Sequence, residues 1–248
     1  MTLVLVHGNP ETAALWGPLI DALDRTDVVT LSPPGFGAPL PDGFGATHDE
    51  YRDWLVGELS GFSQPVDLLG HDWGGGHAMN AVIQRPELVR SWATDVLGLF
   101  DPEYVWHDMA QVWQTPGAGE ELVEQMLGGT ADERAESLGG LGFPADVAAQ
   151  VAAGQDAAMG KAILALYRSA VPPGLDEARA NLANAAARPG LSILATEDVY
   201  VGSDELRRRA AERAGARTAV LDGLGHWWML EDPQRAAAAL TSFWESLG

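Results

Sequence analysis

Six short apolar runs recur along the chain, Leu3 to Val6, Val28 to Leu31, Val66 to Leu69, Ser91 to Leu97, Leu191 to Ala195 and Thr218 to Leu221, and most lead through a turn signal into a helical stretch. Runs this short, without polar alternation, read as strands buried on both faces, the condition of parallel strands covered by helices. Between them the pattern predicts helices over Glu50 to Ser60, over Gly75 to Gln84, which stops before Pro86, and over Asp204 to Ala214, with Ser203 as N-cap. The alternation predicts an α/β fold with a mostly parallel, doubly wound sheet. Right-handed crossovers gather the carboxyl ends of such strands along one edge, so function is expected in the loops leaving them.

The alternation lapses between about Phe100 and Pro189, where alanine- and glycine-rich helical stretches follow one another without a strand. We therefore expect a core made of residues 1–99 and 190–248, interrupted by a helical cap over residues 100–189. Trp106, Met109, Trp113, Met126 and Met159 of that cap either line a pocket or pack as ordinary core. Gly128 to Gly142, glycine-rich and charged, reads as a mobile surface connection.

Composition narrows the partners. With 35 acidic against 15 basic residues, a formal charge of −20, the surface repels nucleic acid and anionic membrane. A small, uncharged, apolar or aromatic substrate is the expected partner. Cysteine is absent, which excludes disulfides, thiolate metal sites and cysteine nucleophiles. Neither a signal peptide nor an apolar span of membrane length is recognisable, so a cytoplasmic protein is expected.

Chemistry concentrates at Gly70-His71-Asp72-Trp73-Gly74-Gly75, where a strand stops at a residue flanked two positions on either side by glycine and a helix follows. The pattern is G-x-D-x-G. Small neighbours let a sharp turn lift one side chain clear of the sheet, and the helix N-terminus favours its negative charge. Serine is usual at such a turn; aspartate suits an alkyl-ester rather than an acyl-ester intermediate. The plain alternative is that Asp72 only caps a helix.

His7-Gly8-Asn9-Pro10 follows the first strand, where the backbone amide of Asn9 would pair with that of Trp73 to form an oxyanion hole. Gly225-His226-Trp227 follows the last strand and supplies a late base, His226. The orienting acid is expected after an earlier strand: Asp198 has the better offset, and Asp95 is a second position from which an acid could reach the same imidazole. His71 is expected to shape the turn, and His48 and His77 have no recognisable partner. No H-x-x-x-H or H-E-x-x-H spacing occurs, so neither a metal nor any other cofactor is expected.

Taken together these motifs resemble the Asp-nucleophile branch of the α/β-hydrolase superfamily, the epoxide hydrolases and haloalkane dehalogenases, over nearly the whole chain. Trp113-Gln114-Thr115-Pro116-Gly117 is similar to the epoxide hydrolases' aromatic-Q-x-P-G. Tyr167-Arg168 resembles the Y-R whose tyrosine assists ring opening. The resemblance implies the α/β-hydrolase fold, Asp72 as nucleophile, His226 as base, Asp198 as its acid and Tyr167 as proton donor to the epoxide oxygen. Met109 stands where the family keeps its second tyrosine, so either His107 or Tyr104 substitutes, His107 being the better donor, or Tyr167 acts without a partner. Trp106, His107, Met109, Trp113 and Trp227 are the candidate substrate contacts. The rival reading is dehalogenation, with the departing halide between Asn9 and Trp73; a non-catalytic small-molecule binding protein on the same scaffold is a third. The family's two strands ahead of H-G-x-P are missing, so about six strands are expected, with Val28 to Leu31 exposed as an edge and a homodimer as one way to cover it.

Overall fold

The computed structural model describes residues 1–248. Six parallel strands, β1 (Leu3–Val6), β2 (Val28–Leu31), β3 (Val66–Gly70), β4 (Val89–Thr94), β5 (Gly190–Ala195) and β6 (Ala216–Leu221), form one sheet in the order β2-β1-β3-β4-β5-β6. Side chains alternate between two cores: Leu3 and Leu5 join Leu69, Leu191 and Ile193 on one face, while Val4 and Val6 join Leu68 and Trp92 on the other. This period of two makes every residue of β1, β3 and β5 buried, whereas β2 and β6, the two edges, stay half open. The expectation of about six strands with β2 at an edge agrees with this order.

Helices α1 (Gly17–Leu23), α2 (His48–Ser60) and α3 (Asp72–Gln84) cover the first half of the sheet. Thr47 and Glu50 close a reciprocal capping box that starts α2. α3 begins three residues before its expected start, at the end of the turn itself. β4 ends at Thr94, earlier than the apolar pattern suggested, because Val96 and Leu97 enter a buried 3-10 turn over Leu97–Phe100 instead of continuing the ladder. Asp95 is thereby left at the sheet's carboxyl edge.

Between β4 and β5 come α4 (Asp108–Gln114), α5 (Ala118–Leu127), α6 (Ala131–Gly140), α7 (Ala145–Gly154), α8 (Ala157–Ser169) and α9 (Asp176–Asn181), with no intervening strand. α4, α5 and α8 pack on one another, and Trp113, Met159 and Tyr167 among them join the main core. The expected mobile connection over Gly128 to Gly142 is corrected: most of it is α6, started by a capping box between Thr130 and Glu133. The glycines fall at its two ends. The chain finishes with α10 (Asp204–Arg213), α11 (Trp228–Glu231) and α12 (Pro233–Glu245). No helix is long and apolar enough to cross a membrane.

Candidate active site

The turn between β3 and α3 is sterically tight. A Cβ on Gly74 would lie 2.2 Å from the Val6 carbonyl oxygen, and one on Gly70 would lie 2.5 Å from Gly75 Cα. Asp72 has a φ of 48°, left-handed backbone that costs a non-glycine residue energy. Its N–H donates to Asp95 Oδ1 at 3.1 Å, which fixes the strained residue in place.

The two oxygens of Asp72 face different surroundings. Oδ1 accepts the Asn9 backbone N–H at 3.1 Å and the Asn9 side-chain amide at 3.3 Å. The Trp73 backbone N–H also helps hold the carboxylate ionised. Gly8 is obligatory beside it, since a Cβ there would stand 2.2 Å from Oδ1. Oδ2 lies 3.9 Å from His226 Nε2. Burial pushes the Asp72 carboxyl up to about 6, opposed chiefly by the His226 and His71 charges.

His226 Nδ1 donates to Asp198 Oδ2 at 2.9 Å, and Asp198 Oδ1 accepts the Tyr200 N–H at 2.9 Å. Nδ1 being engaged by a carboxylate, Nε2 is the end left for proton transfer. Burial alone would lower the imidazole, but Asp198 overrides it and raises His226 above its ordinary value. Asp95 does not reach this histidine; it accepts from His71 Nδ1 and, at 2.7 Å, from Trp228 Nε1.

Sequence reasoning missed Glu11. It is fully buried, accepts the Gly8 N–H at 3.2 Å and the Trp227 indole N–H at 2.6 Å, and pairs with His71 Nε2 at 3.2 Å. Burial works against its charge, but His71 overcomes that and brings Glu11 down to about 2. His71 is correspondingly held well above its usual range: burial opposes the proton, and Asp95 and Glu11 on either side outweigh it. The structure thus places an imidazolium between two carboxylates beneath the turn. Ligand atoms of Glu11, His71 and His226 lie within 4.8 Å of one another, a spacing a metal could use, but both nitrogens of His71 are already engaged.

Asp72 and His226 open into an apolar cavity of about 110 Å³ that also takes in Asn9, His107, Met109, Trp113, Tyr167 and Trp227. Burial raises the Tyr167 phenol well above its ordinary value and the Asp72 charge adds to this, against smaller opposing influences from the nearby Trp73 and Asn9 side chains. His107 caps α4: its Nδ1 accepts the Ala110 N–H at 3.2 Å, so the neutral ring presents Nε2–H, and burial lowers its pKa to about 4. Tyr104 is spoken for, donating to the Tyr200 carbonyl at 2.9 Å. Trp106 does not reach this cavity; it stacks on Trp73 at 5.9 Å and lines a small adjoining one. Tyr200, a second residue not foreseen, stands edge-on to His226 at 4.9 Å and to His107 at 5.1 Å. A larger groove of about 550 Å³ beside His48 and Arg52 contains none of these groups.

A family model described as alpha/beta hydrolase family matches residues 3–239. A Mycobacterium tuberculosis protein named probable oxidoreductase EphD is 38% identical over 80 residues, 29% of this chain but only 13% of that protein. The chain thus matches a small part of that relative's length. Among solved structures, E-2-(acetamidomethylene)succinate hydrolase superposes with a TM-score of 0.73 at 18% identity, covering 98% of this chain and 91% of that one. A loop variant of the haloalkane dehalogenase DbeA from Bradyrhizobium elkanii gives 0.70 at 18% identity over 99% and 90%. At these identities the likeness is one of fold.

Proposed function

The chain belongs to the alpha/beta hydrolase family, and from that premise we propose that it opens an epoxide to a vicinal diol through a covalent ester on Asp72. The observation that carries the reading is the divided environment of Asp72, with Oδ1 fastened by Asn9 and Oδ2 turned toward His226 in a cavity that Tyr167 also lines. Oδ2 attacks an epoxide carbon, the carbon–oxygen bond breaks, and its electron pair stays on the oxygen, which takes a proton from Tyr167. His107, neutral and presenting Nε2–H, supports that oxygen with a hydrogen bond. His226, oriented by Asp198, then removes a proton from water as the water attacks the ester carbonyl. The amides of Asn9 and Trp73 stabilise the oxyanion; its collapse breaks the ester carbon–oxygen bond, the leaving alkoxide takes the proton back from His226 and departs as the diol, and the Asp72 carboxyl loses its proton to solvent, from which Tyr167 regains its own. The apolar walls suit an uncharged substrate.

Dehalogenation is the second reading, since Asn9 and Trp73 stand together at the nucleophile. Two features favour the epoxide: the Asn9 amide is already bonded to Oδ1, and the Tyr167 phenol occupies the neighbourhood of both residues. Incubation with a small epoxide and with a haloalkane, assayed for diol and halide, separates the two. His226→Gln, exposed to a substrate the parent turns over, should accumulate the ester as added mass on the intact protein. No adduct would sink the covalent scheme, and neither product from the parent would favour a non-catalytic binding protein.

A further inference from the structure

The space around Asp72 has two lobes. The larger, about 110 Å³, contains His226 and runs outward past Met126 and Leu141, the latter 54% exposed. The smaller, about 20 Å³, lies beside Trp73 and is lined by Val96, Leu99, Trp106 and Val201. Asp72, His107, Tyr167 and Tyr200 border both, so the ring of Tyr200 and the reacting groups mark their junction.

We propose that the two lobes define the substrate class: an epoxide bearing hydrogen or a methyl group on the side that enters the small lobe, with the bulk of the molecule in the large one. The inference rests on the epoxide reading above. A space of roughly 10–15 Å³ on this measure is the least that admits one water-sized group, so the small lobe takes about one carbon and no more. Its walls beyond the shared junction are not a water site: they are chiefly hydrocarbon, and the one phenol unique to this lobe, Tyr104, already donates to the Tyr200 carbonyl. Nor is it the seat of the hydrolytic water, since His226 borders only the large lobe. Growth is blocked by packed side chains: Val96, Leu99 and Val201 are each at least nine-tenths buried in the main core and cannot swing into solvent.

The test uses epoxides with a constant butyl group on one ring carbon and hydrogen, methyl, ethyl or propyl on the other, followed by diol formation. The hydrogen and methyl members should be turned over comparably and kcat/KM should fall by about tenfold or more at ethyl, the scale of one unaccommodated methylene. Leu99→Ala, which borders the small lobe and not the large one, should raise the ratio of ethyl to methyl kcat/KM towards one. A flat series in the parent, or an unaltered cut-off in Leu99→Ala and likewise in Val201→Ala, would overturn the inference. No diol from any member, with the mass of His226→Gln unchanged, would remove instead the epoxide reading beneath it.

Discussion

Replacing the nucleophile should stabilise the protein. Unfolded, the Asp72 carboxyl titrates near 3.8; folded, burial holds it at about 6. Between these values the unfolded chain has already given up its proton while the native state keeps it, so native stability falls as pH rises through the interval and the loss is complete above it. The interval is roughly two pK units, and at 1.36 kcal/mol per unit the ionised side chain costs about 3 kcal/mol at neutral pH. Asp72→Asn removes that charge, retains an oxygen for the Asn9 amide, and places in left-handed backbone one of the few residues that tolerate it. For a chain this long, 3 kcal/mol corresponds to a Tm gain on the order of 5–10 °C. Urea or thermal unfolding of both proteins at pH values on either side of the interval is the assay. The difference should be near zero at the acid end and full at the neutral end, in a variant without activity. A variant no more stable than its parent at neutral pH, or a gain that does not change with pH, would refute the reasoning.

Three further outcomes follow from the same geometry. Activity should fall as pH drops below about 6, because protonated Asp72 is no nucleophile; a kcat/KM profile flat through that value would contradict this. Tyr167→Phe should lower epoxide turnover by about 10²–10⁴-fold while sparing any halide release, and equal loss on both substrates would count against a proton-donating phenol. Asp95→Ala should cost about 3–5 kcal/mol in denaturant melts by leaving the His71 imidazolium half-paired, whereas Asp198→Asn should melt near the parent yet accumulate ester. The reverse pattern would mean that Asp95 serves the base.

The turn around Asp72 was legible because its glycines answer to short-range sterics that any sequence window displays. Helix α6 is signalled only by Thr130 and Glu133 at capping-box spacing, a weaker mark than the glycines on either side of it, which favour a loop. Glu11 was hidden for a different reason. Nothing local distinguishes it, and its partners His71 and Trp227 lie 60 and 216 positions away, joined only once β1, β3 and the final loop meet at the sheet edge. The choice between Asp198 and Asp95 was of the same kind: both follow strands, and only the packed directions of His71 and Trp228 show that Asp95 is already committed. Tyr200 sits in a loop where no periodicity tells which way a side chain points.

The 3.9 Å separation between Asp72 Oδ2 and His226 Nε2 has a consequence for timing. The Asp72 charge is one of the influences that raise the proton affinity of His226. On the proposed mechanism alkylation turns that carboxylate into a neutral ester, and the attraction disappears with it. The imidazole therefore sheds its proton more readily once an ester exists to be hydrolysed. The first half-reaction arms the second, an interlock made from the loss of a single negative charge.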